Sequence, residues 1–177
     1  MDVLAESTAV AIVNARIEAI NITEWLFTLK DDEYQACSPA HIAGGSSISK
    51  DGKRMSLNVE QVGDSLLVQH YVEDISKKDH CRVNSRSGSI SQAGNTKLGV
   101  TWELKVKKLS DTSCELSNHV VVLLTDEFSA LPDKANITDL SLIKNRMQQN
   151  LELHNKEETP FFAKDLEIKA LKGTVIK

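Results

Sequence analysis

The sequence contains few cysteine, proline and aromatic residues: three cysteines, three prolines and 5% aromatic side chains. Cys37, Cys81 and Cys114 are odd in number and have no paired spacing, so they give neither a disulfide framework nor a zinc-finger pattern. This usage is typical of reduced thiols in a cytoplasmic protein. We therefore look elsewhere in the chain for residues that carry chemistry.

Long apolar runs and an excess of basic residues are also missing. No apolar stretch approaches the roughly 18 residues of a transmembrane helix, so we expect no membrane partner. The net charge of -4 and the pI near 5.7 argue against a nucleic-acid partner. Asp2 and Glu6 stand where a secretory signal would begin with basic residues, so we expect a cytoplasmic location. The length of 177 residues predicts a single domain over residues 1–177.

Alternation of apolar and polar residues predicts one strand near the start of the chain and a run of antiparallel strands in its middle. The first predicted strand covers residues 10–20, and a helix follows over residues 23–36 with Asn21 or Thr23 as its N-cap. Pro39 ends that helix, and residues 44–47 read as a turn. Five further strands are predicted over residues 54–62, 66–75, 81–90, 98–109 and 114–125.

The end of the chain predicts one long helix over residues 139–171, after two short loop-like pieces around Pro132. Pro160 is expected to kink or break this helix near Glu157, since its ring removes a hydrogen bond and collides with a preceding carbonyl. The order of strand, helix, five or six antiparallel strands and long helix predicts an α+β protein. It resembles the helix-grip fold of the START and Bet v 1-like (SRPBCC) superfamily, in which a curved antiparallel sheet wraps around the last helix and leaves an internal cavity.

The predicted last helix carries polar residues on its apolar stripe. Leu140, Ile143, Met147 and Leu151 recur at helical spacing, and the same steps lead to His154, Glu158 and Phe161. An imidazole and a carboxylate that both point inward need partners, because burying polar groups unpaired is unfavourable. The alternative is an ion pair between His154 and Glu158 at the helix surface.

Two other residues are candidates for those partners. His41 follows the first helix, and Glu73 shares a predicted strand face with Leu67 and Tyr71. Two histidines and two carboxylates suit zinc or another divalent transition metal. These residues, in Pro39-Ala40-His41, Tyr71-Val72-Glu73 and His154-x-x-x-Glu158, resemble the metal ligands of the diacetylphloroglucinol hydrolase (PhlG-like) branch of the same superfamily.

The resemblance implies a zinc-dependent hydrolase that cleaves an acyl carbon–carbon bond of a small aromatic or polyketide-like substrate. His41, Glu73, His154 and Glu158 would hold the metal, and Tyr34, Tyr71 or His119 would handle a proton. Two other functions stay open at this point: a metal-free carrier of a hydrophobic small molecule, and a polyketide cyclase-like enzyme using acid–base residues. A nucleophilic pair of Cys37 with His41 lacks an orienting group, and a homodimer is compatible with the pattern without being required by it.

Overall fold

A computed structural model describes residues 2–130 and 140–173 of the chain. Its centre is one seven-stranded antiparallel sheet with the order β1-β7-β6-β5-β4-β3-β2. The strands are β1 (Val3–Val13), β2 (His41–Ile48), β3 (Arg54–Val62), β4 (Ser65–Ser76), β5 (His80–Ser91), β6 (Gly94–Lys108) and β7 (Cys114–Leu123). The helices are α1 (Ile22–Thr28), α2 (Asp31–Gln35), α3 (Asp126–Ser129) and α4 (Leu140–Leu171). This curved sheet and the long last helix confirm the predicted α+β helix-grip architecture.

The five later strands lie close to their predicted positions because each alternates between a buried and an exposed side. The first strand was placed too late in the sequence: β1 ends at Val13, and a 3-10 turn covers Ile17–Ala19. The predicted turn at residues 44–47 was also wrong, since these residues belong to β2. A Cβ on Gly44 would lie 2.8 Å from Cδ1 of Tyr34, so this glycine allows α2 to pack closely on β2.

The predicted first helix is divided into two. The Asn21 side chain accepts a hydrogen bond from the backbone N–H of Glu24 and so caps α1. Asn21 was one of the two predicted N-caps of this helix. Leu29 is extended, and the Glu33 carboxylate accepts a hydrogen bond from the backbone N–H of Lys30. This second capping interaction starts α2 as a new helix.

The last helix, α4, confirms the predicted long helix but continues through Pro160 without a break. The residues that follow the proline are held by packing: Phe162 and Leu166 are fully buried, and the Trp25 indole N–H donates to Asp165 at 2.7 Å. Regular helix geometry continues the inward stripe from Glu158 to Phe162. The expectation for Phe161 was therefore wrong, because its side chain is 52% exposed.

Part of the predicted connection before α4 can be compared with the structure. Residues 126–129 form the short helix α3, with the Thr125 side chain as its cap. The rest of that prediction, including Pro132, lies outside the described residues. Across residues 2–130 and 140–173, no helix has the length and apolar character needed to cross a membrane.

Candidate metal centre and its cavity

Four buried side chains converge between the sheet and α4: His41, Glu60, His154 and Glu158. His41 begins β2, Glu60 lies directly opposite it on β3, and the other two are one turn apart on α4. One donor atom from each residue lies within 4.8 Å of the others. All four residues are at most 8% exposed, so the cluster is shielded from bulk water.

The donor atoms are spaced as the ligands of one small cation would be. His41 Nε2 lies 3.0 Å from Oε2 of Glu158 and 3.7 Å from Oε2 of Glu60. His154 Nε2 lies 3.3 Å from Oε2 of Glu158 and 3.2 Å from Oε2 of Glu60. Tetrahedral ligands about 2.0–2.1 Å from zinc are about 3.4 Å apart, so these distances and donor types fit a zinc site.

The cluster is electrostatically paired. Burial lowers the pKa of His154, but the nearby Glu158 and Glu60 carboxylates outweigh burial and raise that pKa well above its ordinary value. Burial raises the pKa of Glu158, but the neighbouring His154 and His41 outweigh burial and lower that pKa below its ordinary value. Two carboxylates and two imidazoles therefore stabilise one another in a position where an unpaired charge would be strongly unfavourable.

Neighbouring groups fix the orientation of these side chains. The His41 Nδ1 atom lies 2.7 Å from the backbone oxygen of Tyr34, which places a proton on Nδ1 and directs Nε2 toward the cluster. The Tyr34 ring stacks on His41 at 3.8 Å, and its hydroxyl donates to Glu60 at 3.0 Å. The Asn118 amide donates to Oε1 of Glu158 at 3.0 Å, so Oε2 of Glu158 faces the cluster.

The predicted inclusion of Glu73 in this cluster is wrong. Its carboxylate accepts hydrogen bonds from the backbone N–H and Nε of Arg54, at 2.9 and 3.0 Å. Glu60 pairs with Leu67 on β4, and Glu73 lies six residues farther along that strand, a separation of about 20 Å. The predicted strand face was consistent with a Glu73 side chain that points inward, but the position of Glu73 along β4 is too far from the cluster.

Glu60 was missed because β2 was not recognised. The alternation in residues 54–62 places Ser56, Asn58 and Glu60 together on the buried face. A strand beginning at His41 would have paired the histidine with Glu60, as the structure does. The signal available in the sequence was the alternation that places the carboxylate of Glu60 on the buried face.

The three proposed proton-handling residues occupy different places. Tyr34 and Tyr71 are buried and line the cavity. Burial raises the pKa of each phenol well above its ordinary value, and the Glu60 charge raises it further. His119 lies on the other side of β7 from the cavity residues Val120 and Val122, since neighbouring strand residues face opposite ways. It contacts Glu6 at 2.9 Å, so its predicted place at the site was wrong.

The cluster lies at one end of a cavity of about 490 Å³ between the sheet and α4. Most of the cavity wall is apolar, and a smaller polar part includes Asn58, Gln69 and Tyr71. The apolar wall includes Leu67, Leu98, Val100, Trp102, Val120 and Met147. A largely apolar cavity with a few polar groups is the usual form of a small-molecule site.

Comparison with known proteins identifies similar folds but no similar sequences. No family model and no curated protein matches the chain. It is similar to the Zhui aromatase/cyclase of Streptomyces sp. R1128, with a TM-score of 0.68 and 10% identity, covering 93% of this chain and 94% of that chain. A START superfamily protein of Mycobacterium smegmatis gives a TM-score of 0.53 and 14% identity, covering 94% and 97% of the two chains.

A further similar structure is the di-domain aromatase/cyclase StfQ from the steffimycin biosynthetic pathway. It gives a TM-score of 0.59 and 12% identity, covering 95% of this chain and 52% of that chain. Identities this low establish the fold and leave the activity to be argued from the site itself. The chain has the START/Bet v 1-like helix-grip fold.

Proposed function

We propose that this protein is a zinc-dependent hydrolase that acts on a small aromatic or polyketide-like molecule held in the cavity. The observation that supports this is the convergence of His41, Glu60, His154 and Glu158 within 4.8 Å at the end of an apolar cavity. Two imidazoles and two carboxylates are donors that zinc accepts. Zinc bound there would act as a Lewis acid and lower the pKa of water toward about 7.

The surrounding residues have separate tasks in this proposal. The apolar wall, including Trp102 and Leu98, binds the ring of the substrate and excludes water. Asn118 orients the Glu158 carboxylate, and the Tyr34 backbone oxygen orients His41. The Tyr34 phenol stays protonated because its pKa is raised by burial and by Glu60, so it is able to deliver a proton beside the cluster.

The proposed reaction is hydrolysis of a bond between an acyl carbon and a ring carbon. Water supplies a hydroxyl group to the acyl carbon, which leaves as a carboxylic acid. The ring carbon keeps the bonding electron pair and receives a proton from Tyr34, and the Tyr34 phenolate then takes up the proton that the water loses. Diacetylphloroglucinol is the first substrate to assay, and released acetate is the product to measure.

Zinc binding tests the proposal independently of the substrate. Protein purified without chelator is expected to contain one zinc per chain, and zinc at 100 times its Kd is expected to raise Tm by about 5–10 °C. Glu60→Gln should lose most of this zinc, since it removes a ligand. Glu73→Gln is the matched control and should keep it, because the Glu73 carboxylate is bound to Arg54 instead. A wild-type protein that stays metal-free with zinc supplied would contradict the proposal.

A second candidate is an aromatase/cyclase-like enzyme that uses the same histidines and carboxylates as acids and bases without a metal. The similarity of the fold to Zhui and StfQ, both described as aromatase/cyclases, favours it. Activity separates the two candidates. A cyclase keeps full turnover after dialysis against a chelator, whereas the hydrolase loses it and recovers it when zinc is returned.

A further inference from the structure

Gln69 presents an unused hydrogen-bond acceptor to the cavity. It lies on β4, is 4% exposed, and is part of the cavity wall. Its Nε2 donates to the Tyr71 hydroxyl at 3.0 Å. Its Oε1 is one of two side-chain polar atoms that are buried without a partner in the described parts of the chain; the other is Oγ1 of Thr96.

A buried amide oxygen without a donor is unfavourable, so such an atom in a cavity wall points to a group that arrives with the ligand. In the structure the Gln69 amide has Nε2 toward the phenol and Oε1 away from it. Tyr71 accepts that bond through its oxygen, so its own hydroxyl hydrogen is available as a donor beside Gln69. The two residues together offer one acceptor and one donor on the same wall.

We infer that Gln69 selects the ligand by accepting a hydrogen bond from a ligand hydroxyl or N–H group, so that the site prefers hydroxylated ring compounds to hydrocarbons of the same shape. This inference rests on the proposal that the cavity is the substrate site. The apolar wall binds the ring of either compound equally well, and the hydrogen bond to Gln69 favours the hydroxylated compound over the hydrocarbon. It acts as a specificity-determining residue and is not one of the four proposed metal ligands.

The test compares two probes of nearly equal shape, 2-naphthol and 2-methylnaphthalene, by titration calorimetry. The quantity measured is the ratio of their affinities, since the methyl group is the more hydrophobic and would win in a purely apolar cavity. Gln69→Met, which keeps the length and removes the acceptor, should lower the ratio of naphthol to methylnaphthalene affinity about tenfold. Gln61→Met makes the same change on an exposed part of β3 and should leave the ratio unchanged.

Two results would overturn the inference. One is an unchanged affinity ratio in Gln69→Met, which would mean that water or another group satisfies Oε1. The other is a lowered ratio in Thr96→Val alone, which would place the ligand donor at the other unpartnered atom. If Gln69→Met does not fold, a crystal structure of the wild type with 2-naphthol decides, with the naphthol oxygen expected about 2.5–3.0 Å from Oε1 and a pose without this contact contradicting the inference.

Zinc content measured on the same preparations separates this inference from the proposed function. Gln69 is not a ligand, so wild type and Gln69→Met should contain equal zinc. Failure of the proposed function appears as zinc-free protein in both, whatever the probes do. Failure of the inference appears as an unchanged affinity ratio, whether zinc is present or not.

Discussion

Replacing Asn118 with leucine should both destabilise the protein and weaken its zinc site. Asn118 is fully buried on β7, and its side chain contacts α4. Its oxygen accepts from the Trp102 indole N–H at 2.7 Å, and its amide donates to Glu158 at 3.0 Å and to Thr159 at 3.1 Å. Leucine has a similar shape but makes none of these hydrogen bonds, so packing is kept while the polar contacts are lost.

The magnitude follows from the groups left without a partner. The Trp102 N–H and Oε1 of Glu158 each lose a hydrogen bond, and each unsatisfied buried group costs about 1–3 kcal/mol. Thr159 still donates to the Asn155 carbonyl, so its hydroxyl keeps a partner. The free energy of unfolding should therefore fall by about 2–6 kcal/mol. Zinc affinity should fall about 10–100-fold, as for other residues that orient a ligand.

Urea unfolding measures the stability change, and a double-mutant cycle with Trp102→Phe isolates the indole. In the Trp102→Phe background the effect of Asn118→Leu should be smaller by about 1–3 kcal/mol, because no N–H is left unpaired. Asn84→Leu, the same change on an exposed residue of β5, should shift stability by no more than about 0.5 kcal/mol. A loss below about 1 kcal/mol for Asn118→Leu, or additive effects of the two substitutions, would refute this account of the network.

The other predictions concern Tyr34 and Glu103. Tyr34→Phe keeps the ring that stacks on His41 and removes the hydroxyl, which also donates a hydrogen bond to Glu60. Zinc affinity should therefore fall about 10–100-fold, and kcat for acyl cleavage, measured with saturating zinc, should fall about 10²–10⁴-fold; an unchanged kcat would remove Tyr34 from proton delivery. Glu103 lies outside the cavity, where burial raises its pKa but hydrogen bonds from Lys105, His80 and His119 outweigh burial and lower it to about 2. Its folded-state pKa is below the ordinary value of 4.5, so its contribution to stability is present above pH 4.5 and is lost as the pH falls toward about 2. The destabilisation caused by Glu103→Gln, measured by urea unfolding, should therefore be largest near neutral pH and shrink below pH 4.5, and a difference independent of pH would contradict this.

Sequence periodicity located the half of the site that lies on the helix. The apolar spacing of Met147 and Leu151 continues to His154 and Glu158 with the same period, and both are buried in the structure. Pro160 did not break α4, because a proline removes a single hydrogen bond and the packing of Phe162 holds the helix in place next to Pro160. A helix carries its phase over many residues, which makes such a prediction reliable.

The half of the site that lies on the sheet could be predicted only in part from the sequence. Alternation assigns a residue to a face of the sheet, but it does not say which residue of the next strand lies opposite. The glycines and serines of β2 have low strand propensity, so the strand that pairs His41 with Glu60 was read as a turn. Glu73, on the favoured face but too far along β4, was chosen instead.

An anomalous diffraction measurement at the zinc edge on crystals grown with zinc tests the central claim most directly. The account predicts one strong peak, about 2.0–2.2 Å from Nε2 of His41, Nε2 of His154 and a carboxylate oxygen of each of Glu60 and Glu158. No peak at this position in zinc-loaded crystals, or a peak with Glu73 among its ligands, would contradict it.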